Sequence, residues 1–366
     1  MLHKSPGGTA AAVSHKWTDS VPALSSRKGF AYCSALWPGW AGRVGRTWLC
    51  KKRHSIPRVQ FRGRHVISIA DFSRADMLHV MNLARDLETR PQPNLLSGRL
   101  MATLFFEPST RTRLSFEAAI QKLGGRVIGF SDAASTSTKK GESLADTIRM
   151  VEQYADVIVM RHPRDGAARL ASELSRVPIV NGGDGANQHP SQTFLDLYTI
   201  AKLFPELADG GRELTIAFAG DLRYGRTVHS LLSALCHFRV NLLLVAPPGL
   251  EMPAQYLDEA RHAKIRCTAC TMQEAIDQAD VLYMTRLQEE RFPDPLEFEH
   301  IKATYRITAS MLVSANQRLR ILHPLPRVNE IAPDVDGTPH AHYFAQAGNG
   351  IPVRQALISL VLGALQ

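Results

Sequence analysis

The sequence has no long apolar run, few cysteines and no dinucleotide-binding glycine pattern. No segment of the 366 residues approaches the ~18–20 consecutive apolar residues of a membrane span. Of the five cysteines, Cys267 and Cys270 form a C-x-x-C pair, but no second pair or histidines stand at zinc-site spacing. The turn at 220–227 (GDLRYGRT) lacks the G-x-G-x-x-G spacing. These absences argue against a membrane protein, a metal site and a nicotinamide-dependent oxidoreductase.

Acidic residues are almost missing from the first part of the chain. Residues 1–65 hold twelve Lys and Arg and one acid, Asp19, whereas the other 301 residues hold 31 basic and 33 acidic side chains. All four tryptophans also lie within residues 1–65. The net charge of +9 therefore belongs to the N-terminal segment and implies no acidic partner for the rest.

Three interpretations of residues 1–62 remain open: a start placed too far upstream, a targeting peptide, or a functional arm. An Arg- and Ser-rich, acid-poor composition is typical of transit peptides. Charge alone would also suit a nucleic-acid-binding arm, but no motif supports one, so we expect no nucleic-acid partner. We expect this extension to be disordered and the protein to be cytoplasmic, or organellar if the segment is a transit peptide.

From residue 66 onward, apolar strands alternate with amphipathic helices. Strands are predicted at 101–106, 126–130, 156–160, 177–181, 214–219, 240–246, 280–284 and 320–323. Helices are predicted at 73–89, 111–123, 143–154, 191–204, 226–238, 254–263, 272–278, 308–315 and 351–365. Such alternation is typical of parallel sheets, and a Pro/Gly/Asp-bearing break at 205–211 separates two series. The pattern predicts an α/β protein with two doubly wound, Rossmann-like domains and a ligand site in the cleft between them.

The most informative motif, 105–113 (FFEPSTRTR), lies between a predicted strand and a predicted helix. Backbone N–H groups at a helix start, together with Ser109, Thr110 and Thr112, can cradle an anion. Arg111 can bind a phosphate with two hydrogen bonds. The alternative for this motif alone is a capped helix with surface arginines.

Further polar residues follow other strand ends. Arg161 follows strand 156–160, and His189 and Gln192, three residues apart, enter helix 191–204 after a glycine-rich loop. The later strands are followed by polar or proline-containing runs that supply Arg226, Arg286, Gln288, Leu325 and Pro326. Since these sites follow strand ends, they can converge on one cleft, whose arginines indicate anionic ligands. Each arginine alone could instead be a solvated surface charge.

In order and spacing, these motifs resemble the aspartate/ornithine carbamoyltransferase family, from about residue 65 to residue 362. The S-T-R-T and H-P-x-Q runs are shared by both branches of that family. The runs 323–327 (HPLPR) and 286–288 (RLQ) favour the aspartate branch, because the ornithine branch has a cysteine where Pro324 stands. Residues 137–142 (STKKGE) resemble the mobile loop of the aspartate branch.

The resemblance implies an enzyme that transfers the carbamoyl group of carbamoyl phosphate to L-aspartate, early in pyrimidine (UMP) synthesis. Transfer to ornithine or another amine is the alternative. No cofactor and no metal are implied. Residues 63–204 with 350–366 would bind carbamoyl phosphate, residues 205–349 would bind aspartate, and the C-terminal helix would pack back on the first domain.

The resemblance also assigns roles to single residues. Ser109, Thr110, Arg111 and Thr112 would hold the phosphate, and Thr112, Arg161 and His189 would polarise the carbamoyl carbonyl. Gln192 and the backbone of Leu325 and Pro326 would complete the carbamoyl phosphate site, and Arg226, Arg286 and Gln288 would hold aspartate, with Leu325 contributing. Ser137 and Lys140 would enter the site of a neighbouring subunit and contact its ligands, Lys140 as a catalytic residue, so the active unit would be a homotrimer. A separate regulatory chain is a further possible partner.

Overall fold

In a computed structural model, residues 60–132, 136–287 and 305–365 are described. Within this part of the chain, the helices are α1 (Arg74–Thr89), α2 (Thr110–Lys122), α3 (Leu144–Val151), α4 (Ala167–Leu174), α5 (Pro190–Leu203), α6 (Glu206–Asp209), α7 (Arg226–Leu235), α8 (Ala254–His262), α9 (Met272–Gln278) and α10 (Tyr343–Val361). The strands are β1 (Leu100–Phe105), β2 (Arg126–Phe130), β3 (Val157–His162), β4 (Ile179–Asp184), β5 (Leu214–Ala219), β6 (Val240–Val245), β7 (Cys267–Ala269), β8 (Val281–Met284) and β9 (Arg320–Leu322).

The strands form two parallel sheets. The first has the order β2-β1-β3-β4 and the second the order β7-β6-β5-β8-β9. In each sheet, the strands that follow the first one are added on one side of it, and the later strands are added on its other side. The direction of strand addition therefore changes at the boundary between β1 and β3 in the first sheet, and between β5 and β8 in the second. Ligands of open α/β sheets bind beyond the carboxyl ends of the strands at such points. The predicted fold class of two doubly wound sheets is confirmed.

Buried side chains of both halves form one large apolar cluster. It includes Phe105 of β1, Phe194 of α5, Leu231 of α7 and Phe218 of β5, all fully buried. Helices α5 and α7 are in contact, and this contact joins the two sheet layers. The site between the halves is therefore supported by packed helices on both sides.

The C-terminal helix α10 packs on α1, α2 and α5, as the resemblance implied. The helix was predicted to begin at 351, but it begins at Tyr343. The first two turns were not predicted because this stretch contains three poor helix formers, Gly348, Gly350 and Pro352. Most residues of α10 are buried, including Tyr343, Gln346 and Asn349 of its first two turns, so its packing against three helices outweighs these local preferences.

Several short elements differ from the prediction. Strand β7 and helix α4 were not predicted, and the helix predicted at 308–315 is a short 3₁₀ helix, Ala309–Leu312. The predicted linker at 205–211 contains the single-turn helix α6. The predicted domain limits at 204, 205, 349 and 350 stay predictions.

Candidate active site

The first polar group of the site lies where β1 leads into α2. Ser109 precedes the helix, and its side chain makes no capping hydrogen bond, so the helix start has no side-chain acceptor from this residue. Desolvation, and then the charge of Arg161, lower the pKa of Arg111. A helix start with a guanidinium and hydroxyl groups beside it suits an anion.

Arg161 follows at the end of β3, the strand next to β1. Its Nη2 donates to Glu107 Oε1 at 2.8 Å and its Nη1 to the Gly182 carbonyl at 3.4 Å. Its buried Nε has no hydrogen-bond partner within the described part of the chain. A guanidinium held on one side by a carboxylate keeps donors for a ligand on the other side.

His189 and Gln192 lie at the start of α5, and both are buried. The Thr112 hydroxyl is 3.4 Å from His189 Nε2, so α2 and α5 meet at this point. Desolvation lowers the pKa of His189 well below its usual value, and the charges of Arg226, Arg161 and Arg354 lower it further. The imidazole is therefore neutral at neutral pH and can offer one N–H group.

Arg226 reaches the same place from the second half of the chain. It begins α7 and donates from Nη1 to the Gly185 carbonyl. Gly183 has φ +117°, and a Cβ there would lie 3.1 Å from Arg226 Nη2 and 3.2 Å from Arg161 Nη1. Glycine at this position lets both guanidinium groups approach the backbone closely.

The loop after β9 is held by a buried pair of side chains. His323 Nδ1 accepts from the Leu325 N–H at 2.7 Å, and its Nε2 lies 2.7 Å from Glu330 Oε1. Since Nδ1 accepts, Nε2 carries the proton and donates to the carboxylate. Leu325 has φ +56°, a left-handed conformation that is uncommon outside glycine and is often found at binding sites.

Two adjoining cavities bring most of the predicted residues together. The first, of about 830 Å³, lies beside α2, and the second, of about 580 Å³, lies beside β8. The first is lined by Ser109, Thr110, Arg111, Thr112, Arg161, His189, Gln192, Arg226, Leu325 and Pro326, among others. The second is lined by Arg161, Arg226, Arg286, Leu325 and Pro326, among others. Among the described residues, no Asp or Glu lines the first cavity, which therefore favours an anionic ligand.

Three predicted residues are not among those that line the cavities. Ser137 and Lys140 are exposed on a 3₁₀ helix, Ser137–Lys140, and line neither cavity of their own chain. Their predicted role in a neighbouring subunit stays a prediction. Gln288 lies outside the described residues.

The prediction missed Arg354, which lines the first cavity from α10. Its guanidinium lies over the Phe116 ring at 4.9 Å, and burial lowers its pKa to about 10. Arg354 is the only charged residue of α10, and this was a visible signal, since a fully buried arginine needs a partner or a ligand.

The described residues contain neither a metal-binding cluster nor a membrane-spanning helix. No group of three or more His, Cys, Asp or Glu side chains could hold a metal ion there. No helix within the described ranges is long and apolar enough to cross a membrane.

Two family models match successive parts of the chain. The carbamoyl-phosphate-binding domain of aspartate/ornithine carbamoyltransferases matches residues 64–202, and their Asp/Orn-binding domain matches residues 212–361. Together they span both sheets and the helices around the two cavities.

Named relatives and solved structures agree with these matches. The aspartate carbamoyltransferase catalytic subunit of Thermococcus onnurineus is 53% identical over 313 residues, which cover 84% of this chain and 100% of the relative. That of Thermococcus kodakarensis is 54% identical over 84% of this chain and 99% of the relative.

Among solved structures, the catalytic subunit of M. jannaschii aspartate transcarbamoylase has a TM-score of 0.75 at 48% identity, covering 81% of this chain and 97% of the other. The Trypanosoma cruzi aspartate transcarbamoylase in complex with N-(phosphonacetyl)-L-aspartic acid has a TM-score of 0.76 at 40% identity, covering 82% and 97%. The chain belongs to the aspartate/ornithine carbamoyltransferase family.

Proposed function

We propose that this chain transfers the carbamoyl group of carbamoyl phosphate to the amino group of L-aspartate. The products are N-carbamoyl-L-aspartate and phosphate, an early step of pyrimidine synthesis. The observation that carries the proposal is the likeness, at more than half identity, to curated aspartate carbamoyltransferase catalytic subunits over 84% of the chain. It favours aspartate over the ornithine alternative.

The two cavities suit the two substrates. The first offers the start of α2, the Ser109, Thr110 and Thr112 hydroxyls and Arg111, which suit a phosphate. The second is lined by Arg226 and Arg286, which suit the two carboxylates of aspartate, with the Leu325 backbone beside them. Because Arg161 and Arg226 line both cavities, the reacting groups would meet at the boundary between them.

In the proposed reaction, the amine nitrogen of aspartate attacks the carbamoyl carbon, and the carbon–oxygen bond to phosphate breaks. Thr112, Arg161 and His189 would donate hydrogen bonds to the carbonyl oxygen as negative charge develops on it in the tetrahedral intermediate. The neutral state of His189 makes it a hydrogen-bond donor here without the charge of an imidazolium.

The attacking amine must lose a proton during the reaction. We infer that the departing phosphate accepts this proton, since its oxygens lie next to the forming bond. The contribution of the protein is then positioning and electrostatic stabilisation, without a cofactor, a metal or a covalent intermediate.

We also propose that the active unit is a homotrimer with shared sites. Ser137 and Lys140 are exposed and line neither cavity of their own chain, so they are free to serve the site of a neighbouring subunit. Lys140 would add positive charge to the phosphate side, where it would contact both substrates. Gln288 would bind aspartate, and a separate regulatory chain is a further possible partner, since the relatives are named as catalytic subunits.

The compartment stays a prediction. We expect the cytoplasm, or an organelle if residues 1–62 are a transit peptide. Edman sequencing of the native protein would show whether residues 1–62 are present, because a cleaved transit peptide or a start farther downstream would leave a new N-terminus near residue 62. Fractionation of cells would then separate an organellar from a cytoplasmic protein.

The acceptor is tested by assaying the purified chain with carbamoyl phosphate and, in parallel, L-aspartate, L-ornithine and related amines. We expect N-carbamoyl-L-aspartate as the main product. Turnover with a non-aspartate amine alone would overturn the proposal.

A further inference from the structure

Asp196 is a fully buried carboxylate that the reaction as described above does not use. It lies on α5, one helical turn after Gln192, and is 0% exposed. Three side chains donate to it: Gln192 Nε2 to Oδ1 at 2.9 Å, Gln346 Nε2 to Oδ1 at 2.6 Å, and the Tyr283 hydroxyl to Oδ2 at 2.8 Å. Removing a carboxylate from water costs free energy, and hydrogen bonds from three donors offset that cost here. Because the donors belong to three separate elements, the carboxylate also holds these elements in place.

The hydrogen bond to Asp196 decides which end of the Gln192 amide faces the cavity. Gln346 uses its own amide oxygen for the His323 backbone N–H, so its nitrogen donates to Asp196 Oδ1, which is therefore an acceptor. The Gln192 atom that contacts the same Oδ1 must then be the NH2 nitrogen. The amide oxygen is then left for the first cavity, which Gln192 lines. An oxygen at this place can accept a hydrogen bond from an NH2 group of the ligand but cannot form one with a methyl group.

Asp196 also contacts a second part of the cavity lining, Gln346 of α10. Gln346 donates to Asp196 with its nitrogen, while its Oε1 accepts from the His323 backbone N–H at 2.8 Å. His323 in turn accepts from the Leu325 N–H at 2.7 Å. One carboxylate thus orients both Gln192 and the loop that carries the Leu325 and Pro326 backbone.

The charge state of Asp196 is a balance of opposing effects. Burial is the largest effect and raises its pKa, the hydrogen bonds from Gln346, Tyr283 and Gln192 and the nearby charge of Arg354 lower it, and the net pKa is about 7. Each of these four groups favours the ionised, acceptor-only form.

We propose that Asp196 is a positioning residue that turns the oxygen of the Gln192 amide toward the cavity and so makes the site select a carbamoyl NH2 group. This inference rests on the proposed function, in which the first cavity binds carbamoyl phosphate. It concerns how the site distinguishes this substrate from an acyl phosphate with a methyl group in the same position.

The test compares two ligands that differ only in that group. For each variant, the KM for carbamoyl phosphate and the inhibition constant of acetyl phosphate are measured at saturating aspartate. We expect Asp196→Ala to raise the KM for carbamoyl phosphate by at least ~10-fold, and the inhibition constant of acetyl phosphate by less than ~3-fold, because one buried hydrogen-bond acceptor is lost. An equal change in both constants would show a general loss of structure and overturn the proposal.

Thr199→Val is the matched control. Thr199 lies one turn farther along α5, and its hydroxyl accepts from Asn349 of α10 at 2.9 Å, so it links the same two helices away from Gln192. We expect the ratio of the two constants to stay at the wild-type value. A shift as large as that of Asp196→Ala would assign the effect to helix packing instead.

Two further variants test whether Asp196 acts through Gln192. In a Gln192→Ala background, Asp196→Ala should change the ratio of the two constants little further, because the side chain that Asp196 orients is already missing. Fully additive effects would contradict the proposal. Asp196→Asn, which keeps an acceptor oxygen, should recover most of the discrimination lost in Asp196→Ala.

If Asp196→Ala does not fold, the proposal is tested by exchanging the amide and the carboxylate between positions 192 and 196. Gln192→Glu alone places two carboxylates together and should weaken carbamoyl phosphate binding. Adding Asp196→Asn supplies an amide donor and should restore the KM at least ~5-fold; no restoration in the folded double variant would refute the proposal. Wild-type turnover with aspartate separately reports on the proposed function, so the two failures are distinguishable.

Discussion

The cavity beside α2 and the cavity beside β8 are built from different kinds of polar group. The first combines a helix start and short hydroxyl side chains with Arg111 and the buried His189, and the second relies on the long side chains of Arg226 and Arg286. A helix start is rigid, whereas a guanidinium at the end of a flexible side chain must be ordered by its neighbours. The first cavity is thus preorganised by secondary structure, and the second depends more on contacts between the halves.

The largest effect expected is that of Arg111→Ala in the first cavity. We expect turnover to fall about 10²–10³-fold, because a charged donor to the departing phosphate is lost. Circular dichroism should show an unchanged fold, since Arg111 lies at the start of α2 and outside the core. Arg113→Ala is the control on the same helix: Arg113 pairs with Glu117 at 3.5 Å and lines neither cavity. Wild-type turnover in Arg111→Ala would refute its phosphate role.

Replacing an arginine of the second cavity should separate the two substrates. Arg286→Ala should raise the KM for aspartate about 10–100-fold while leaving that for carbamoyl phosphate near the wild-type value, because a charge-assisted hydrogen bond to a carboxylate is lost. Arg223→Ala is the matched control, since Arg223 donates to the Gly249 carbonyl at 3.1 Å and lines neither cavity. Equal changes in both KM values would show that the cavities do not bind the substrates separately.

Mixing two inactive variants tests whether sites are shared between subunits. Trimers assembled from Lys140→Ala and Arg111→Ala chains should contain about one intact site in three, since one subunit supplies Arg111 and its neighbour Lys140. Activity of purified mixed trimers, set against each parent variant, measures this. If verified mixed trimers are as inactive as both parents, Lys140 does not act across subunits.

The smallest effect expected is on stability at low pH. The pKa of His189 is lowered in the folded protein by desolvation and by Arg226, Arg161 and Arg354, so it stays neutral where an unfolded histidine, with a pKa of about 6.5, takes up a proton. The unfolded state then binds more protons, and the free energy of unfolding should fall as pH drops below about 6.5, by at most ~1.4 kcal/mol per pH unit for this residue.

This pH effect is measured by urea unfolding at pH 7.5 and 5.5. His189→Gln should show a smaller decrease than the wild type, and the exposed His237→Gln serves as the control for replacing a histidine. Identical decreases in the wild type and His189→Gln would contradict burial of a neutral imidazole.

Much of the first cavity could be predicted from the sequence, because its residues follow one another in short motifs. The residues 109–112 lie at a strand-to-helix junction, where the local pattern favours an anion site over a merely capped helix. Arg354 was not predicted as a site residue because the groups that it contacts are far away in sequence; the aromatic ring beneath it belongs to Phe116. The start of α10 at Tyr343 was not predicted for a similar reason, since packing on α1, α2 and α5 outweighs the low helix propensity of Gly348 and Gly350.

The alternation of strands and helices and the order of the polar motifs after strand ends are visible in the amino-acid sequence, and they indicate the family and its chemistry. Periodicity and motifs are local properties, so they can be read without coordinates. Which residues meet depends on long-range packing: Thr112 meets His189, Arg226 meets the Gly185 carbonyl, and Asp196 meets its three donors. Such contacts join positions up to 150 residues apart, and they exist only once apolar burial has brought α5, α7 and α10 together.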